Sequence, residues 1–194
     1  MVANASSSAR ESNAASPSTA LLGLWAFLFT EAIFFGCLIA AYLYLRVRSG
    51  VWPPAGELHL EVLVPAVNTF VLLASGVTMH GAHLSAREGD IGGLIRGITV
   101  TIVLGATFLA GQAHEYATAG FGLSSGLLGS SFFTLTGFHG AHVLAGLVFL
   151  TLVLIRAIKG HYKIGNEPSI DASALYWHFV DAVWVVLLTV LYLI

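Results

Sequence analysis

Three pairs of side chains that could do chemistry recur at helical spacing. His80 and His83, His139 and His142, and His178 and Asp181 each stand three residues apart, so on a helix each pair shares a face. His114 and Glu115 are adjacent, and Glu31 stands alone in an apolar run. Such groups could hold a metal or haem, carry protons, or hydrogen-bond between helices. A di-metal bundle needs carboxylates from several helices and two Glu-x-x-His pairs. No such pair occurs: three residues after Glu31, Glu57, Glu61 and Glu115 come Phe34, Leu60, Val64 and Thr118. The single cysteine, Cys37, cannot form an internal disulfide, a CxxC zinc site, an iron–sulfur cluster or a c-type haem attachment. It reads as a small buried apolar residue. Bis-histidine haem ligation across helices stays open on spacing, but interhelical hydrogen bonding is the simpler reading of each pair.

The elements that must position these groups follow from composition. Of 194 residues, 57% are hydrophobic and 9% charged, with a formal net charge of −2 and a mean hydropathy of +0.85. A soluble domain carries roughly 25% charged residues. This chain cannot cover a water-facing surface, and it lacks the basic patch that a nucleic-acid binder needs. It reads as an all-α, polytopic membrane helix bundle. Residues 1–19 are Ser/Ala-rich without an apolar core, so they read as a disordered tail rather than a signal peptide. Residues 20–194 form the membrane domain. Five apolar runs follow, about Ala20–Leu45, Val62–Ala86, Ile91–Gln112, Leu127–Ile155 and Ser173–Ile194. Each is long enough for a transmembrane helix at about 20 residues per crossing. Trp52, beside Pro53 and Pro54, suits a headgroup-level anchor.

Arg10, Arg87, Arg96, Arg156, Lys159 and Lys163 fall on one side of this arrangement, and Arg46 and Arg48 on the other. The positive-inside rule then places the N-terminus inside and the C-terminus outside. Glu31 sits near mid-depth of the first run. A charge there costs roughly 2.5–3.5 kcal/mol on insertion scales, so it needs a partner or a wet cavity. A proton-linked or subunit-contact carboxyl and a neutral interhelical hydrogen-bonding group fit it equally. Gly137, Ala141 and Ala145, like Ala32, Gly36 and Ala40, are small-residue strips that would allow close helix approach. Five helices do not divide into the repeated halves of many transporters, and no span carries a mid-membrane Pro–Gly break.

The motifs resemble those of subunit III of haem–copper terminal oxidases. They run in order: FxxxE ending at Glu31, WPPAG at Trp52–Gly56, NTFVLLASG at Asn68–Gly76, REGD at Arg87–Asp90, QAHEY at Gln112–Tyr116, GSSFFTLTGFHGAHVLAG at Gly129–Gly146, and YWHFVDAVW at Tyr176–Trp184. TGFHGAHV and YWHFVD together are highly specific. The resemblance implies the five-helix form of the family, since longer members carry two more N-terminal helices that close a phospholipid-holding cleft. That cleft would be one-sided here. Asp171 stands where the family commonly has Glu.

The resemblance further implies a chain without its own redox centre. Haems and copper would lie in partner subunits, with catalysis in subunit I and electron entry through subunit II. The expected role is to pack on subunit I, sustain its proton uptake, protect it from turnover-linked inactivation and hold structural phospholipid. Glu31 matches the family's buried first-helix carboxyl. Glu115, His139, His142, His178 and Asp181 match its polar core, and Arg156 matches a basic residue at lipid-phosphate level. Alternatives are a subunit III-like component of a nitric oxide reductase system, a small membrane transporter, or a haem-binding bundle.

Overall fold

The computed structural model describes residues 19–50, 63–162 and 168–193. The tail up to residue 18, the WPPAG segment with Trp52, and Lys163 lie outside them. Five helices follow one another: α1 (Thr19–Ser49), α2 (Leu63–Glu88), α3 (Ile91–Thr118), α4 (Gly126–Ile158) and α5 (Pro168–Leu188). A π-helical turn, Thr189–Leu193, continues α5. All five are long and apolar enough to cross a membrane, and no strand occurs among the described residues.

Several helices overrun the apolar runs that signal them. α3 continues past Gln112 through Thr118, and α5 begins at Pro168 rather than Ser173. Helical hydrogen bonding satisfies the backbone whatever the side chains are, so hydropathy marks the apolar slab rather than the helix ends. Proline suits a first turn, because its missing N–H would have no intrahelical acceptor there.

α2 and α3 form a tight hairpin. Gly89 takes a left-handed conformation at φ 80°, which glycine adopts without the Cβ penalty. Asp90 then caps α3, its carboxylate accepting the Gly93 N–H at 2.8 Å. α2, α3, α4 and α5 close a ring in that order, and α1 lies outside it against α4 and α5.

α5 is the most buried helix and α1 the least. Trp177 of α5 is the centre of the packing. Its indole is fully buried and lies against Gly105 of α3 and Gly146 of α4, where an added Cβ would come within 2.7 Å and 2.9 Å of it. The indole N–H donates to Ser75 Oγ of α2 at 3.0 Å. One residue thus ties α5 to three neighbours. Trp184, two turns on, donates to Thr69 Oγ1 at 2.8 Å. Further bonds cross between helices: Asn68 Nδ2 to the Phe108 carbonyl at 2.9 Å, Gln112 Nε2 to the Thr136 carbonyl at 2.7 Å, and Thr78 to Thr101 at 2.8 Å.

The small residues that matter are not the expected strips. Ala32, Gly36 and Ala40 face outward from the bundle, and a Cβ on Gly36 would meet nothing within 4 Å. Ala141 and Ala145 are also exposed. Close approach is instead built at Gly105, Gly146 and at Gly97, where an added Cβ would stand 2.6 Å from that of Ala82. Cys37 is likewise exposed rather than buried. α1 has only one packed side, and its small residues mostly lie on the other.

Candidate functional site

The sequence-selected polar residues do not form one core. They separate into an α1–α4 pair, a central aromatic box, an α2–α5 seam and a contact at the far end of α3.

In the first, Glu31 Oε2 of α1 meets His142 Nε2 of α4 at 3.0 Å. The other ring nitrogen, Nδ1, lies 2.7 Å from the Phe138 carbonyl. A carbonyl only accepts, so Nδ1 carries hydrogen and donates. The contact between Nε2 and Oε2 then holds one proton. Either the carboxylic acid donates to a neutral ring, or an imidazolium donates to the carboxylate. In both forms the pair is neutral as a unit, which suits a group near mid-depth in the membrane. Phe35 packs edge-on to the His142 ring, with centroids 5.1 Å apart. Tyr176 of α5 donates to the His142 carbonyl at 3.0 Å. These contacts fix α4 at the turn that presents the ring.

His139, one turn away, behaves differently from the expected hydrogen-bonding partner. It is fully buried, stacked on Trp184 with centroids 4.9 Å apart and edge-on to Phe108 at 5.8 Å. Neither ring nitrogen has a hydrogen-bond partner among the described residues. The i, i+3 spacing put both histidines on one side of α4, but that side spans two interfaces. His142 looks toward α1 and His139 toward α3 and α5.

On the α2–α5 seam, His83 Nε2 meets Asp171 Oδ1 at 2.6 Å, and Arg87 Nη2 stands 3.8 Å from the same oxygen. Deeper in the membrane, His80 and His178 bring their rings to 6.3 Å between centroids. Asp181 lies one helical turn on from His178, buried, its Oδ1 without a hydrogen-bond partner among the described residues. At the opposite end of the bundle, Tyr192 donates to Glu115 Oε1 at 2.8 Å. Arg156 sits exposed at the end of α4, its guanidinium 5.3 Å from the Tyr162 ring centroid. Among the described residues, no three His, Cys, Asp or Glu side chains converge as a metal-binding group.

Sequence reasoning did not find the partnerships of Tyr192, Ser75 and Thr69. These residues lack a distinctive type or spacing, and their partners lie 77, 102 and 115 residues away in the chain.

The model of the cytochrome c oxidase subunit III family matches residues 2–194. The chain belongs to that family. It is 38% identical over 179 residues to cytochrome c oxidase subunit 3 of Thermostichus vulcanus, covering 92% of this chain and 89% of that protein. Its identity to the Synechocystis sp. protein of the same name is 41% over 179 residues, covering 92% of this chain and 77% of that one. The Sus scrofa subunit 3 is 42% identical over 176 residues, with 88% and 67% covered. Within the subunit III family, five apolar helices make this chain a multi-pass protein of an energy-transducing membrane, in a multi-subunit oxidase complex. Its TGFHGAHV motif lies on α4, where it supplies both His139 and His142. Its YWHFVD motif forms the middle of α5, where it supplies Tyr176, Trp177, His178 and Asp181.

Proposed function

We propose that the chain is a non-catalytic subunit III of a proton-pumping haem–copper terminal oxidase. It packs on subunit I, beside the subunit II that takes up electrons, and sustains proton uptake through many turnovers. The observation that carries this reading is the family match along the whole chain. In this reading the haems and copper belong to partner subunits, as the resemblance implies.

Within that role, Glu31 and His142 are a proton-sharing pair at the α1–α4 contact. Their single shared proton lets either residue change form without leaving net charge in the membrane. Arg156, with Lys159 on the next turn, supplies cationic groups for phospholipid phosphates, and Trp52 is a second anchor at the headgroup level. The same basic end faces the inside, which leaves the C-terminus outside.

The test is purification through a tag on this chain. The complex should show haem absorbance and oxygen reduction, and the chain stripped from it should show neither. Stoichiometric haem on the stripped chain would overturn the reading. Deletion that abolished nitric oxide consumption and spared oxygen consumption would replace the oxidase with a nitric oxide reductase.

A further inference from the structure

Helical threonines in this chain mostly return their hydroxyls to their own helix. Thr69, Thr107, Thr136 and Thr151 each donate to the carbonyl four residues back, at 2.6–2.8 Å. That bond satisfies a hydroxyl where hydrocarbon cannot. Ser131 and Thr134 of α4 are exceptions, for neither hydroxyl bonds to a described residue. Both line a pocket of about 180 Å³ between α1 and α4, together with Tyr42, Leu45 and Ser130. Tyr42 is 2% exposed, and its hydroxyl accepts from the Arg46 guanidinium at 3.1 Å. Arg46 and Arg48 stand in the last turn of α1. No acidic residue occurs in α4, or in α1 after Glu31, so this end of the two helices is positively charged.

Depth puts these groups in order. α1 has 31 residues and α4 has 33, about 46 Å and 50 Å at the helical rise. The hydrocarbon core is roughly 30 Å thick, so roughly 8–10 Å at each helix end lies at headgroup level. Arg46 is about 4.5 Å in from the end of α1, within that layer. Ser131 and Thr134 are about 7.5 Å and 12 Å in from the start of α4, at the hydrocarbon boundary. A glycerophospholipid presents the same order from the surface inward: a phosphate anion, then two ester carbonyls, then acyl chains. Ester carbonyls only accept hydrogen bonds, and the two hydroxyls can donate. Acyl chains continuing inward meet Leu38 and Ala41, the apolar part of the wall. Water would pair the hydroxyls but would leave that apolar wall facing it.

We propose that the α1–α4 pocket seats the ester groups of one anionic phospholipid of phosphatidylglycerol type. Its phosphate lies on Arg46, and its carbonyls accept from Ser131 and Thr134. The positive charge at this end selects an anionic headgroup. The site is in the leaflet opposite Arg156, which stands at the other end of α4. It rests on the embedding of the chain in a membrane and not on the identity of its complex.

The test uses the complex purified through a tag on this chain and held in nanodiscs of phosphatidylcholine containing phosphatidylglycerol. Lipid retained after transfer to detergent is counted by native mass spectrometry. The double variant Ser131→Ala/Thr134→Val removes both donors with little change in volume. It should retain one phosphatidylglycerol fewer per complex than the parent. Arg46→Gln should lose the same molecule, so adding it to the double variant should remove no second one. Equal phosphatidylglycerol counts in parent and variants, as a water-filled pocket would give, would overturn the proposal. So would loss of phosphatidylcholine in its place. If the variants fail to assemble, benzoylphenylalanine at Ala41 decides. Irradiation should give an adduct with phosphatidylglycerol, and an adduct with protein alone would count against the site. A chain that purifies without haem would sink the oxidase reading instead, and the lipid count would still decide this one.

Discussion

Glu31 and His142 come from positions 111 residues apart and share one proton at 3.0 Å. An interhelical hydrogen bond in a membrane contributes on average about 0.6 kcal/mol and up to about 1.7. Glu31→Ala should therefore leave the assembled complex at near-parental yield. Glu31→Gln should do the same, since its amide can donate to a neutral Nε2. Neither variant can trade a proton with the ring, so both should inactivate several-fold faster over repeated turnovers, as followed by oxygen uptake until activity ceases. Parental endurance in both would reduce Glu31 to a packing residue. His142→Leu is the harsher change. It leaves the carboxyl without its partner, at about 1–3 kcal/mol, and it should lower the yield of intact complex measured as this chain per haem.

At the scale of helices, contact is set by a few glycines facing large rings. Gly105→Ala forces a methyl group into the Trp177 indole, 2.7 Å from its nearest atom. Overpacking of this kind costs typically 1–3 kcal/mol. The thermal release of this chain from the solubilised complex should shift to lower temperature. An unshifted release would mean that α3 moves freely to make room. Trp184→Phe tests the second tie between α5 and α2. It keeps a ring against Phe108 and His139 but removes the donor to Thr69. The expected loss is about 0.6 kcal/mol, and up to about 1.7, on the same assay. The helices themselves were legible from hydropathy, because the length of an apolar run is a local property. Which glycine faces a tryptophan was not, because that depends on the rotation of two helices about their own axes. The strip Ala32, Gly36, Ala40 looked as suitable for close packing as Gly97, Gly105 and Gly146. Only the latter three face another helix closely.

For the whole molecule, the ring of α2 to α5 with α1 outside gives three kinds of surface: an apolar α1 face, a basic end and a largely apolar groove between α2 and α5 that His80, His178 and Asp181 help to line. Orientation is testable directly. A cysteine at Ser124, in the α3–α4 connection, should react with a membrane-impermeant maleimide from outside intact cells or spheroplasts. One at Lys159 should react only after the membrane is opened. The reverse pattern would invert the topology. The native Cys37 lies within the α1 span and should stay unlabelled in both.

Composition and run length by themselves determined that this is an all-helical membrane protein with five spans, and the ordered motifs determined its family. Both are properties of residues in a row: apolar length sets what can cross hydrocarbon, and fixed local spacings carry the resemblance. The sequence also marked the ionisable residues set within the apolar runs, since charge there stands out, but not the buried Asn68, Thr69, Ser75 or Thr101. It did not determine the partners. His139 and His142 share a helix side, yet one meets an aromatic box and the other a carboxyl. Glu115 found a tyrosine 77 residues away, and Asp181 found a groove. Those outcomes depend on how α1, α3 and α5 are turned around α4 and α2. Side-chain volume at Trp177, Gly105 and Gly146 sets that turning across the whole bundle, so only the tertiary structure decided it.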